Sequence, residues 1–201
     1  MIAIIDYDAG NIRSVEKAVT ALGADAVLTG DPEVIRRADR VILPGVGSFG
    51  DAMANLERFQ LTEAIRDTAA SGKPFLGICL GLQLLFESSE ESPGVDGLGI
   101  LKGSVLRIPE GEGRKIPHMG WNSLHLQKES KLFAGVPEGA FVYFVHSYYL
   151  RAADPAIVAA STEYGVTIHA AVEQGNVMAT QFHPEKSSGI GLQILRNFLT
   201  A

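Results

Sequence analysis

Residues 73–86 read Lys73-Pro74-Phe75-Leu76-Gly77-Ile78-Cys79-Leu80-Gly81-Leu82-Gln83-Leu84-Leu85-Phe86. A short apolar run, Phe75 to Ile78, ends at a glycine-flanked cysteine, and a helical pattern follows at once. This predicts a strand, a tight turn and a helix, with a thiol at the turn. It is the arrangement of a nucleophile elbow with sulfur in place of the serine oxygen. The flanking glycines remove Cβ atoms that would crowd the strand or the helix. The helix start offers free N–H groups and a positive dipole end, which favour a thiolate over a thiol. Cys79 is the only cysteine in the chain. Stripped of its neighbours it would read equally well as a small buried hydrophobe.

Outward from this stretch, the N-terminal half alternates strand and helix. Ile2 to Ile5, Ala26 to Leu28 and Val41 to Leu43 read as buried strands. Ile12, Val15, Val19 and Leu22 share a helical face, with Asn11 placed to cap it and Gly23 to end it. Asp31-Pro32 reads as an N-cap followed by proline at the first helical position. Leu61, Ala64, Ile65, Thr68 and Ala69 mark a further helix, closed by Gly72. Beyond Cys79 the texture changes. Residues 87–97 read as a surface loop. Strands are expected over 100–108, 140–146, 157–161, 166–173 and 177–182, with a hairpin connection at Glu173-Gln174-Gly175-Asn176. Ile190, Ile194, Leu195, Phe198 and Leu199 form a closing helix. The pattern predicts a three-layer α/β fold, a parallel central sheet with an antiparallel extension.

The 201 residues suit one domain, 1–201, with a single sizeable core, and 46% hydrophobic content argues against disorder. The net charge is −6, and no basic stretch suggests a nucleic-acid groove. The opening Met1-Ile2-Ala3-Ile4-Ile5-Asp6 lacks the basic region of a secretory signal, and no apolar run reaches the length of a membrane span. A lone cysteine forms no internal disulfide. The expectation is a cytoplasmic protein with no membrane association.

A cysteine nucleophile needs a base, and the base needs an orienting carboxylate. Gln181-Phe182-His183-Pro184-Glu185-Lys186 supplies both. Pro184 breaks the extended segment between them and could bring the Glu185 carboxylate round to the second imidazole nitrogen of His183. His146 competes as a base, but its aromatic setting favours a structural role. His118, His125 and His169 lack metal-ligand spacing, so no metal site is expected.

The elbow Gly77-Ile78-Cys79-Leu80-Gly81-Leu82-Gln83, taken with His183-Pro184-Glu185, resembles the class I (triad) glutamine amidotransferases over nearly the whole chain. Asp6-Tyr7-Asp8-Ala9-Gly10-Asn11, Leu43-Pro44-Gly45-Val46-Gly47-Ser48-Phe49, Pro117-His118-Met119-Gly120-Trp121-Asn122 and Tyr143-Phe144-Val145-His146-Ser147-Tyr148 narrow the resemblance to the histidine-biosynthetic branch of that family. Asp8 departs from the glycine often found after the tyrosine, and a local adjustment of the backbone is expected there.

The resemblance implies the family's fold, with a flavodoxin-like central sheet. It implies that L-glutamine is hydrolysed to glutamate and ammonia through a thioester on Cys79, with His183 as acid and base and Glu185 orienting it. Val46, Gly47 and Leu80 would form the oxyanion hole. Gly45, Gln83, Ser147 and Tyr148 would bind substrate. No cofactor is implied. Ammonia would pass to a separate (β/α)8-barrel cyclase subunit in a heterodimer, with Asn11, Trp121, Tyr143 and Lys186 near the contact or the tunnel entrance. The nearest alternative is the glutaminase of pyridoxal phosphate synthase; an inactive partner-binding scaffold and a cysteine peptidase on the same fold are further ones.

Overall fold

A computed structural model describes residues 1–201. Its strands are β1 (Ile2–Ile5), β2 (Ala26–Thr29), β3 (Arg40–Leu43), β4 (Phe75–Ile78), β5 (Ser88–Ser89), β6 (Gly103–Arg107), β7 (His118–Ser123), β8 (His125–Leu126), β9 (Phe141–His146), β10 (Tyr148–Ala152), β11 (Val158–Glu163), β12 (Thr167–Gln174) and β13 (Val177–Thr180). The α-helices are α1 (Ile12–Ala21), α2 (Pro32–Arg37), α3 (Phe49–Arg58), α4 (Thr62–Ala70), α5 (Leu80–Leu84) and α6 (Ser188–Thr200). Eight strands form the main sheet in the order β2-β1-β3-β4-β13-β12-β11-β8. β2, β1, β3, β4 and β13 run parallel, and the remaining strands extend the sheet antiparallel. Two small sheets, β10-β6-β5 and β7-β9, stand beside it.

The continuous apolar strands are explained by burial on both faces. In β1, Ala3 and Ile5 face one core layer while Ile2 and Ile4 face the other. Val41 and Leu43 of β3 oppose Ile42 in the same way, as do Val177 and Ala179 of β13 against Met178. Helices α2, α3 and α4 cover the first face, through Ile35, Phe49, Leu56 and Ile65. Helices α1 and α6 cover the second, through Val15, Val19, Leu195 and Phe198. Fully burying a side chain the size of leucine or phenylalanine contributes about 1.5–3 kcal/mol, so these two layers hold the sheet rigid beneath the site.

Local signals behave as the chemistry predicts at several points. The Asp31 side chain accepts from the Glu33 amide ahead of α2, and the β12–β13 hairpin pairs Gln174 with Val177 across Gly175-Asn176. Asn11 departs from expectation. It sits at the N-cap position of α1 in the left-handed region, φ 66°, and makes no side-chain cap, because its carboxamide serves Glu185 instead. Helix α3 is not among the predicted elements, although Ser48 caps it by accepting from the Asp51 amide and Phe49, Ala52, Met53 and Leu56 are buried along it. β5 lies within the predicted surface loop. β6 starts only at Gly103, because the amides of Ile100 and Leu101 both turn back to the Leu85 carbonyl. β7, β8 and β10 carry mixed burial and no continuous apolar run, so periodicity did not mark them.

Candidate active site

Three neighbouring parallel strands end at one edge of the sheet. Leu43 pairs with Gly77, and Ala179 and Thr180 pair with Gly77 and Ile78. Beyond those ends come the Pro44–Gly47 loop, Cys79 and the segment to His183. Segments far apart in the chain are thus delivered side by side at the carboxyl ends of the strands, where parallel α/β sheets place ligands.

Cys79 has φ 55° and ψ −108°, a conformation held at a cost for a residue with a Cβ. The flanking glycines permit it. A Cβ on Gly81 would overlap the Leu43 carbonyl oxygen, and one on Gly77 would come within 2.9 Å of the Gly81 carbonyl. The sulfur lies 4.0 Å from the Val145 carbonyl and 3.9 Å from Nε2 of Gln181.

His183 follows β13 and opens a single 3-10 turn, Pro184–Lys186. Within that turn the carboxylate swings back: Glu185 Oε1 lies 2.7 Å from His183 Nδ1 and accepts from Asn11 Nδ2 at 2.8 Å. Both side chains are almost wholly buried, 1% and 0% exposed. Burial lowers the pKa of His183, but the Cys79 sulfur and the Glu185 carboxylate raise it more, to about 9. The ring is therefore protonated at neutral pH. Its Nε2 is buried without a hydrogen-bond partner, so although the sulfur's charge acts on the ring, no formed sulfur–imidazole hydrogen bond is in place. Nδ1 donates to the carboxylate, leaving Nε2 as the atom to serve the reaction. The expected placement of Glu185 against the second nitrogen holds.

The predicted oxyanion donors reach the site without forming a hole. The Leu80 amide donates to the Gly45 carbonyl at 3.3 Å. The carbonyl of the Gly45–Val46 peptide therefore points toward Leu80, and its N–H points away. Tyr7, wholly buried, anchors the loop by donating from its hydroxyl to the Pro44 carbonyl at 2.9 Å. Burial, reinforced by the Cys79 charge, pushes the Tyr7 hydroxyl far above its ordinary pKa, so it remains a donor.

A cleft of about 300 Å³ opens over the sulfur and is lined by Val46, Gly47, Gln83, Glu91, Ser147 and Tyr148, among others. Gly45, expected to bind substrate, is not among the lining residues. Gln83 has both amide protons engaged, to the Tyr148 carbonyl and to Gln181 Oε1, each at 3.0 Å; only its own oxygen is left for a ligand. Glu91 went unrecognised in the sequence because its loop is polar throughout. One of its oxygens accepts from the Phe49 amide at 2.8 Å, which fixes a carboxylate at the cleft wall. His146 is no competing base: burial lowers its pKa to about 3, and its Nδ1 is held at 2.8 Å by the Tyr148 carbonyl. Its Nε2 meets His118 Nδ1 at 2.9 Å, and burial lowers His118 to about 4.

The residues expected at a subunit contact do not all share one surface role. Trp121 and Tyr143 are cross-strand partners in β7–β9, edge to face at 6.1 Å, and Lys186 Nζ lies 6.0 Å from the centre of the Tyr143 ring. Met119, Trp121 and Phe141 are 63%, 51% and 58% exposed, so this face presents a contiguous apolar surface next to the site. Asn11 donates to the Glu185 carboxylate. β9 also touches the reacting groups: the His183 amide donates to the Tyr143 carbonyl, and the Tyr143 amide donates to Ser187 Oγ.

The family model for class I glutamine amidotransferases matches residues 3–201. The chain is 53% identical over 199 residues to imidazole glycerol phosphate synthase subunit HisH of Methanothermobacter thermautotrophicus, covering 99% of this chain and 98% of that protein. It is 53% identical over 196 residues to the subunit of the same name from Aquifex aeolicus, covering 97% and 94%. Among solved structures, a glutamine amidotransferase aligns with a TM-score of 0.77 at 22% identity, covering 100% and 98% of the two chains. The structure of PurLQS from Thermotoga maritima aligns with a TM-score of 0.74 at 24% identity, covering 99% and 97%. At such identities the structural likeness speaks to the fold alone.

Proposed function

The chain belongs to the class I glutamine amidotransferase family, and from that premise we propose that it is the glutamine-hydrolysing subunit of an imidazole glycerol phosphate synthase. The observation that carries this reading is the meeting, at one sheet edge, of Cys79 with a buried His183–Glu185–Asn11 chain, in a protein half-identical over its full length to named HisH subunits. A scaffold that only bound a partner would have no use for that assembly.

The chemistry follows from the groups present. Glutamine enters the cleft with its carboxamide over Cys79 and its α-ammonium toward Glu91 and the free oxygen of Gln83. Ser147 and Tyr148 flank its amino-acid end. The thiolate attacks the carboxamide carbon, and the C=O electron pair moves onto oxygen. His183 gives its Nε2 proton to the nitrogen, the C–N bond breaks, and ammonia departs. A glutamyl thioester remains on Cys79. His183, now neutral, takes a proton from water, whose oxygen attacks the thioester. Glutamate leaves and the thiolate returns.

The oxyanion needs donors that the Leu80–Gly45 bond now occupies. Rotating the Gly45–Val46 peptide, through ψ of Gly45 and φ of Val46, would withdraw the carbonyl, free Leu80 N–H and present Val46 N–H. One such donor is worth roughly 3 kcal/mol, so this peptide is a switch of large effect. Ammonia released into water would mostly become ammonium, which is no nucleophile; the product must travel sheltered to its acceptor. We infer a (β/α)8-barrel cyclase of HisF type as the partner. It would seat on the Met119–Trp121–Phe141–Tyr143 face and use the ammonia to convert the phosphoribulosyl-formimino ribonucleotide PRFAR to imidazole glycerol phosphate and AICAR. β9, bonded to the His183 amide, offers the mechanical route by which that partner could favour the donor-bearing loop.

The test is glutamine hydrolysis by the purified chain alone, with the cyclase, and with the cyclase and its nucleotide. Slow turnover alone and a strong rise in the full mixture are expected. Equal rates in all three would remove the coupling, and no hydrolysis in any would remove the function.

A further inference from the structure

One backbone carbonyl fixes the direction of the side-chain hydrogen-bond chain that leads to the sulfur. The Tyr148 carbonyl can only accept. Gln83 Nε2 and His146 Nδ1 both lie against it, at 3.0 and 2.8 Å. The Gln83 group there must be its NH2, and the second proton of that NH2 reaches Gln181 at 3.0 Å. The Gln181 atom facing Gln83 must then be its oxygen. Its NH2 is left facing Cys79, 3.9 Å from the sulfur. Gln181 has no exposed surface, and the sulfur is the one acceptor its amide nitrogen meets. A buried N–H without an acceptor is costly, and the cost is relieved best when the acceptor carries charge.

We propose that Gln181 is a further catalytic residue, whose buried carboxamide donates to the Cys79 sulfur and thereby favours the ionised nucleophile, in an orientation set by the Tyr148 carbonyl through Gln83. The opposite side of the sulfur supports this. The Val145 carbonyl at 4.0 Å suits a thiol that keeps its proton. The sulfur therefore stands between an acceptor that suits the thiol and a donor that suits the thiolate. Removing the donor leaves the acceptor unopposed. His183 contributes charge; Gln181 contributes direction, so its loss should matter even with His183 and Glu185 intact.

The inference rests on Cys79 as the reacting atom, and its test does not require glutamine turnover. Cys79 is the only cysteine, so alkylation of the intact chain by iodoacetamide, followed by mass across pH, reports that thiolate without background. In Gln181→Met and in the near-isosteric Gln181→Glu, the midpoint of the alkylation profile should rise by about one pH unit, lowering the rate at neutral pH about tenfold, with recovery at high pH. A midpoint unchanged in folded variants would overturn the proposal, whatever happened to turnover; a residue that merely positioned Gln83 would alter KM and leave the midpoint alone. Should both variants fail to fold, the side-chain amide resonances of Gln181 in the unmodified chain decide. They should move as the sulfur ionises and stay fixed in Cys79→Ala; no movement in the unmodified chain would refute the proposal. Absence of glutaminase in the unmodified protein, with the expected midpoint shift in the variants, would count against the assigned function and not against Gln181.

Discussion

The amide of Leu80 is bonded to the carbonyl of Gly45, so the chain fills with its own oxygen the place where the oxyanion of the substrate needs a donor. Gly45 is confined on its other side as well, since a Cβ there would strike the hydroxyl of Tyr7 and sit 3.2 Å from Leu80 Cβ. Gly45→Ala should therefore reduce glutamine hydrolysis about a hundredfold or more by obstructing rotation of the loop, and destabilise by about 1–3 kcal/mol through overpacking. Tyr7→Phe makes room for the methyl group. Melting curves of the two single variants and the double should show the double recovering part of the Gly45→Ala loss; strict additivity would mean that the two sites do not touch.

Cys79→Ala should abolish glutamine-dependent synthesis by the complex. Synthesis from added ammonium salt should persist, because the ring chemistry belongs to the partner. Both rates can be read in one coupled assay, and residual glutamine use near the native rate would displace Cys79 from its role.

The three residues behind the sulfur should form a graded series. His183→Ala removes acid and base together, and a loss of about 10²–10⁴-fold in kcat is expected. Glu185→Gln should cost less, since orientation is partly retained. Asn11→Ala removes one hydrogen bond to a buried carboxylate, about 1.5–3 kcal/mol, so a loss of roughly ten- to a hundredfold follows. Steady-state kinetics of the complex would order them; an inert Asn11→Ala would mean that its bond to Glu185 is incidental.

Stability should depend on pH on both sides of neutrality. Folded His118 and His146 stay neutral down to about 4 and about 3, mainly because burial penalises their charged forms. In the unfolded chain a histidine titrates near 6.5, so below that pH the unfolded state takes up protons the folded state refuses. Stability falls as pH falls; for His146 alone the loss at pH 5 is about 2 kcal/mol. His183 acts oppositely. Its folded pKa is raised to about 9, so its contribution is present below 6.5 and is lost as pH rises through 9. Thermal melts should show a midpoint lower by about 4–8 °C at pH 5 than at pH 7 from His146, and His146→Gln should flatten that acid limb. An unchanged limb would place the titrating group elsewhere.

Trp121→Ala should weaken the complex with the cyclase by about 2 kcal/mol, some thirtyfold in Kd, as expected of an exposed aromatic anchor. Basal turnover of the isolated chain should change little. Titration calorimetry against the partner checks the first, and a glutaminase assay the second.

Much of this was legible in the sequence where the signal is local. Apolar runs buried on both faces announce themselves, and Gly77-Ile78-Cys79-Leu80-Gly81 carries the elbow in five adjacent residues. What escaped depends on partners distant along the chain. Asn11 looks like a cap, yet its carboxamide goes to Glu185, 174 positions away. Gln181 meets the sulfur across 102 positions, and nothing in its neighbours distinguishes it from any strand-end glutamine. β10 hid because Ser147 divides one extended stretch between two sheets. Helix α3 is different: its cap and apolar spacing were present, overshadowed by the glycine-rich loop before it.

β13 lies between β4 and β12 in the sheet, although it is the last strand made. During translation the nucleophile leaves the ribosome about a hundred residues before its base, and β4 waits as an unpaired edge until the closing strand arrives. The same late insertion welds the two halves of the sheet and delivers His183. A nascent chain that has not yet placed β13 therefore holds the thiol without its base, and the chemistry that needs both waits for the closing strand.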